Sequence, residues 1–311
     1  MSWILIAVGA YFILSLTNLL DKFLLDKALP DARAYTFLVN IMGGAVILAA
    51  PWLMYWPGWE LAFLNLLVGA IFPFALLLLY KALKVGEPSK VLVLIGACVP
   101  VFTLLLSMVF LKEVFTFVQW LALIGLILGA ILIAWLPPKV TWLTRLHDFL
   151  GFNRGDQTFG IIEAVGSALL FAVVMTASKS LYTVQNFAST FIWLRLGSAV
   201  AVLLLLLSKT FRQAVFKNIK KLRGVNASLF GGNQLLAATG FTLQNYALSL
   251  GSVAIVNALQ SVQYAFLLVF GAILSIWLPK NKLGENISFE IILQKLVAIC
   301  LIGLSLFLLI G

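Results

Sequence analysis

Charge is what this 311-residue chain has least of: Asp, Glu, Lys and Arg make up 10% of it, against about a quarter of a soluble domain. With 63% hydrophobic residues and a mean hydropathy of +1.10, such a chain cannot cover itself for water. A soluble globular protein is excluded. Cysteine is almost missing, and Cys98 and Cys300 both lie inside apolar runs, which excludes a disulfide framework and leaves two small hydrophobes. The single histidine, His147, falls in a connection, and no spans bring a pair of acids together. That excludes a metal site and a nucleophile-and-base pair, so no enzyme activity and no cofactor are expected. No GxxxxGK[ST] loop is present, nor a soluble stretch to hold one, which argues against an ATP-driven pump. The opening MSWILIAVGAYFILSL has neither the basic region nor the cleavage site of a secretory signal and is expected to stay as a first helix.

What is there instead is a succession of apolar runs. A helix needs about 20 apolar residues to cross the hydrocarbon core, and on that ruler ten spans are expected, at 3–20, 34–54, 61–80, 90–111, 117–136, 159–181, 187–207, 227–248, 252–278 and 290–310. Two connections carry amphipathic patterns. Val140 to Phe152 mixes Trp142, Leu146 and Phe149 with Arg145 and His147, and Ser208 to Asn226 spaces Phe211, Val215, Ile219 and Leu222 among six Lys and Arg residues. Both read as helices lying in the membrane interface. The net charge of +10 is concentrated in these connections, so the basic residues orient a membrane protein and do not point to nucleic acid. Connections after odd-numbered spans hold Lys22, Lys27, Arg33, Lys81, Lys84, Lys90, Lys139, Arg145, Arg154, the basic helix, Lys280 and Lys282, whereas those after even-numbered spans hold essentially Lys112. The odd connections are therefore expected in the cytoplasm and both termini outside.

The chain also repeats itself. Ala82, Leu83, Gly86, Val91 and Leu94 recur at one constant offset as Ala247, Leu248, Gly251, Val256 and Leu259, each set before a long apolar helix. LLDKFLL around Lys22 is echoed by TASKSLY around Lys179, and Leu111-Lys112-Glu113 by Leu283-Gly284-Glu285. Five spans per repeat is an odd number, so the second copy inserts upside down relative to the first. The expected fold class is an all-α membrane protein of ten transmembrane helices in two inverted five-helix repeats, 1–138 and 159–311, joined by an interfacial linker at 139–158.

The ALxxG turns, the apolar run through Pro100 and the LKE and LGE segments together resemble the drug/metabolite transporter superfamily, specifically its EamA-type ten-helix members. The resemblance implies a multi-pass protein of a bacterial inner membrane that exports or exchanges small metabolites. Members of that superfamily are drawn with cytoplasmic termini, and the charge bias here gives the opposite orientation. The expected function is a secondary transporter of a small polar metabolite working by alternating access, as monomer or homodimer, with the metabolite and the bilayer as its partners. A lipid-intermediate flippase of the same fold is the alternative, and an intramembrane enzyme a distant third.

Ionisable and amide groups inside spans are costly, so each is a candidate site residue. Arg195 lies about 12 Å into the seventh span, where a guanidinium could hold a substrate carboxylate or phosphate through paired hydrogen bonds. Asn257, Gln260, Ser261 and Tyr264 share one helical face of the ninth span at a depth that brackets Arg195, with Gln263 beside them. Trp193 is a weaker candidate. Glu163 and Lys295 enter their spans from the same side and are expected to pair, as structural partners or with Glu163 coupling protons.

Overall fold

The computed structural model describes residues 2–27, 29, 31–85, 88–134, 157–220, 222–277 and 289–310. Every regular element among them is helical. A bilayer core offers backbone groups no water, so apolar runs of this length satisfy themselves as helices. The helices are α1 (Ser2–Lys27), α2 (Ala32–Gly43), α3 (Trp59–Val85), α4 (Pro88–Leu106), α5 (Phe117–Ala134), α6 (Gln157–Val184), α7 (Phe187–Leu205), α8 (Lys209–Ile219), α9 (Val225–Leu250), α10 (Val253–Ala258), α11 (Gln260–Trp277) and α12 (Phe289–Ile310). By length and composition, five described stretches can cross a membrane: Ala32–Leu53, Trp59–Leu83, Leu94–Leu111, Gly160–Val184 and Phe187–Leu205. α1, α5, α10 with α11, and α12 carry further apolar stretches.

Local chemistry sets the helix starts. Asp31 accepts from the backbone N–H groups of Arg33 and Ala34 at the head of α2, and Asn186 does the same for Ala188 and Ser189 at the head of α7. Two expected spans are not uniform. The second begins as α2, tightens into a 3-10 segment at Gly44–Ala49 and closes with one turn at Ala50–Leu53. The ninth is divided at Leu259, whose backbone stays right-handed helical at φ −62° and ψ −10°, so Asn257 stands on α10 and Gln260, Ser261 and Gln263 on α11.

α3 is the hub. It packs against α2, α6 and α7, while α1 lies along α9 and α11, α4 along α6, and α5 along α12. The interior mixes hydrophobic clusters with buried polar groups, and large apolar side chains face outward. Asn40, Asn65, Thr103, Ser167 and Asn257 are fully buried, whereas Leu48, Trp52, Phe117, Leu235 and Phe307 present more than two thirds of their surface outward. That is the distribution a lipid solvent selects, with apolar groups outside and hydrogen-bonding groups gathered inside. Trp52, Tyr55, Trp56 and Trp59 stand exposed together where α3 begins, the amphipathic belt expected at a membrane–water boundary. We call that boundary the Trp59 end and the opposite one the Lys27 end.

Of the two expected interfacial helices, the first, Val140 to Phe152, lies outside the described residues. The second is α8, a helix that buries Phe211 and Val215, leaves Arg212 and Lys217 exposed, and packs on α2.

Candidate functional site

A mostly apolar cleft lies between α3, α6, α7 and α9; it holds about 20 Å³, room for about one water, within about 300 Å³ of space that includes its open mouth. Arg195 of α7 is its only cation among the described lining residues. The guanidinium carbon sits 3.8 Å from the ring centre of Phe241, 4.9 Å from Phe72 and 5.4 Å from Phe191. A Cβ built on Gly43 would come within 3.3 Å of Arg195 Nη1, so α2 walls the fourth side. Arg195 is buried, at 9% exposure. Among the described residues no carboxylate pairs with it and no oxygen accepts from its guanidinium; the ion pair they do contain is Arg33 with Asp31 at 3.1 Å.

Magnitudes decide what this means. Each ring contact is worth about 0.5–2 kcal/mol, while taking a cation of this size out of water costs several kcal/mol and leaves its donors unmet. Aromatic walls offset part of that cost and no more. The remaining groups are already oriented: Tyr182 donates to Asn245 Oδ1 at 3.1 Å, Asn245 donates to the Phe241 carbonyl at 2.9 Å, and the Ser198 hydroxyl donates to the Arg195 carbonyl at 3.0 Å. The guanidinium is thus the donor left over, and it suits a carboxylate or phosphate.

The position of Arg195 depends on an unusually close helix crossing. A Cβ on Gly69 of α3 would stand 2.0 Å from the Leu194 carbonyl oxygen, and one on Gly197 of α7 would stand 2.3 Å from that of Leu66. The two glycines let the backbones touch, as small residues do in membrane helix pairs.

The other candidates stand elsewhere. Asn257, Gln260 and Gln263 do not line this cleft. Asn257 is fully buried and donates to Thr103 Oγ1 of α4 at 3.2 Å, a bond that ties α10 to α4, while its Oδ1 has no partner. Trp193 points to the Trp59 end, where its indole donates to the Tyr55 carbonyl at 3.1 Å and its ring meets Trp56. Glu163 sits near the start of α6, with Oε2 buried and without a hydrogen-bond partner. The side chains of Tyr264 and Lys295 lie outside the described residues.

Spacing alone missed three features. Phe72 sits in a run apolar on every side, so nothing in its surroundings singles it out, and Phe241 goes unremarked beside the amides Gln244 and Asn245. Glu113 of the LKE segment accepts from Ser252 Oγ at 2.6 Å and from the Val253 N–H at 3.2 Å, so the end of the first half caps α10 in the second. Lys179 donates to the Ser249 carbonyl at 3.0 Å beside it. Asp21, read only as part of LLDKFLL, is a shared acceptor at the Lys27 end. Replacing Glu113 with Ala should cost about 1–2 kcal/mol and speed amide exchange across 253–258; Glu113→Gln should retain part of the protection.

A crystal structure of a protein superposes on the whole chain, covering 98% of this one and 94% of that one, at a TM-score of 0.62 and 16% identity. At that identity the likeness is one of fold. No curated protein matches by sequence. The model of the EamA-like transporter family matches residues 1–135. Residues 1–135 are thus similar to a family of the drug/metabolite transporter superfamily. The matched segment contributes α1 to α5, and with them Gly43, Gly69 and Phe72 around the cleft. The apolar exterior and this match indicate an integral, multi-pass membrane protein.

Proposed function

We propose that the protein is a secondary transporter, an exporter or exchanger, that binds a small organic anion at Arg195 and moves it by alternating access. One observation carries this: a buried guanidinium, walled by three rings and with no anion of its own among the described residues, opens on a cleft between helices of both halves. A substrate carboxylate or phosphate supplies the missing charge.

The same reading makes the two halves, 1–138 and 159–311, inverted five-helix repeats joined by the linker at 139–158. Packing supports it. Exchanging the corresponding helices turns the contact of α1 with α9 into that of α6 with α3, and the contact of α4 with α6 into that of α11 with α1; all four pairs are packed. A site at the repeat interface is where such folds hold substrate, and rocking one half against the other exposes it to each side in turn. Asn257, Gln260, Gln263 and Tyr264 become, in this reading, the polar seam along which the halves move, and Glu163 with Lys295 a structural pair.

The test is uptake by proteoliposomes. Radiolabelled carboxylates and phosphate esters should accumulate by exchange against internal unlabelled substrate. Lipid scrambling without solute uptake would select the flippase instead. Orientation follows from the basic connections, which put the Lys27 end in the cytoplasm of a bacterial inner membrane. A cysteine at Lys217 should stay unlabelled by an impermeant maleimide in intact cells and react after lysis; labelling from outside would reverse the orientation.

A further inference from the structure

At the Lys27 end a second polar cluster joins the halves. Asp21 lies on α1 just beyond the expected first span, 3–20. Its Oδ1 accepts from the Tyr35 hydroxyl of α2 and from Asn233 Nδ2 of α9 at 2.6 Å. Tyr35 is fully buried and wedged edge-on against Tyr80 of α3 and Phe230 of α9, at 4.9 and 5.5 Å between ring centres. Four helices therefore meet around one carboxyl. Both donors land on the same oxygen, and among the described residues Oδ2 has no hydrogen-bond partner and no cation pairs with the group.

Among the described residues, the titratable groups facing Asp21 are the phenols of Tyr35 and Tyr80. α9 offers the neutral amide of Asn233, and α11 carries one ionisable residue, Tyr264, toward the other end of the bundle. On α1 itself Lys22, Asp26 and Lys27 follow in sequence. Burial disfavours a carboxylate without a cation. It pushes the Asp21 carboxyl up to about 6, against the two hydrogen bonds from Tyr35 and Asn233, which act to lower it.

We propose that Asp21 is a proton-binding site linked to the opening and sealing of the Lys27 end: sealing α1 against α2 and α9 takes up a proton at Oδ2, and parting them returns it to water. An O–H bond forms at Oδ2 as the helices close. It breaks on opening, when hydration stabilises the carboxylate, and the proton leaves to water on that side. The proton site is read without reference to any substrate. Only the motion rests on the alternating-access reading.

Infrared titration of the purified full-length protein in liposomes, with no substrate present, tests the site directly. A protonated-carboxyl band should appear on acidification with a midpoint near 6 and be missing in Asp21→Asn, which keeps the shape and one acceptor. A band unchanged in Asp21→Asn, or no such band by about pH 5, overturns the proposal. Should Asp21→Asn fail to give monodisperse protein, Tyr35→Phe serves: losing a donor to the charged form must raise the midpoint, and an unmoved midpoint overturns the proposal. The link to motion is read by an impermeant thiol reagent on Leu24→Cys, at a site 1% exposed, in protein lacking Cys98 and Cys300. Protection should increase on acidification in the parent and be largely independent of pH in Asp21→Asn. Equal pH dependence in both overturns the linkage while leaving substrate binding at Arg195 to be judged separately.

Discussion

Arg195→Ala should raise the half-saturation concentration for an anionic substrate by about 10–100-fold, the equivalent of the 1.5–3 kcal/mol that a hydrogen bond to a charged group contributes. The protein should still fold. Removing the guanidinium also removes an uncompensated buried charge, so the loss of ring contacts worth about 0.5–2 kcal/mol each is offset by desolvation that no longer has to occur. Arg195→Lys separates charge from geometry. Lysine keeps the charge as a compact ammonium but lacks the planar fork, and it stacks less readily between Phe241 and Phe72. Its affinity should fall between the parent and the alanine variant. Normal affinity in both variants with a lower yield of folded protein would make Arg195 a structural cation, and the site would have to be sought elsewhere.

Gly69→Val and Gly197→Val should each destabilise the protein by about 3 kcal/mol or more, at the upper end of what overpacking costs. Backbone, not a mobile side chain, occupies the space a Cβ needs: the Leu194 carbonyl at 2.0 Å from Gly69 and the Leu66 carbonyl at 2.3 Å from Gly197. The pair is reciprocal. In each helix the blocking carbonyl lies three residues before the glycine, so either substitution pries α3 and α7 apart along the same line of contact. Since α3 brings Phe72 and α7 brings Arg195, the wedge also widens the cleft. Thermal unfolding of detergent-purified protein gives the stability change, and Gly231→Ala, with nothing within 4 Å of the added carbon, is the control that should stay close to the parent. A stable Gly69→Val protein with unchanged transport would show that the helices do not pack as described.

These two results also mark what could and could not be read from residue order. The apolar runs and the lack of charge announce helices in lipid, because hydropathy and span length are properties of a segment alone. Arg195 stands out for the same reason: a cation deep in an apolar run needs an explanation wherever its neighbours lie. Its surroundings could not be read that way. Phe72, Phe191 and Phe241 come from three helices; Phe191 stands four residues before Arg195 and so on its face, but nothing local shows that Phe72 and Phe241 meet them. The amides of the ninth span were legible as inward-facing groups, and Asn257, Ser261 and Gln263 are buried; the division of the span at Leu259 was not legible. Glu113 and Asp21 sit at the ends of runs, where an acid ordinarily reads as solvated. One caps a helix in the other half, and the other gathers donors from two further helices. Partnerships across the bundle depend on the packing of distant segments, which local pattern does not contain.

The account rests on an unpaired guanidinium that binds the transported solute. Counterflow settles it most directly: parent and Arg195→Gln proteins, matched for folded protein in liposomes loaded with unlabelled organic anions, are given the same labelled compound outside. The account predicts transient accumulation of at least one small carboxylate or phosphate ester by the parent and its loss in Arg195→Gln. Accumulation only of neutral or cationic solutes, or of an anion equally well by both proteins, would contradict it.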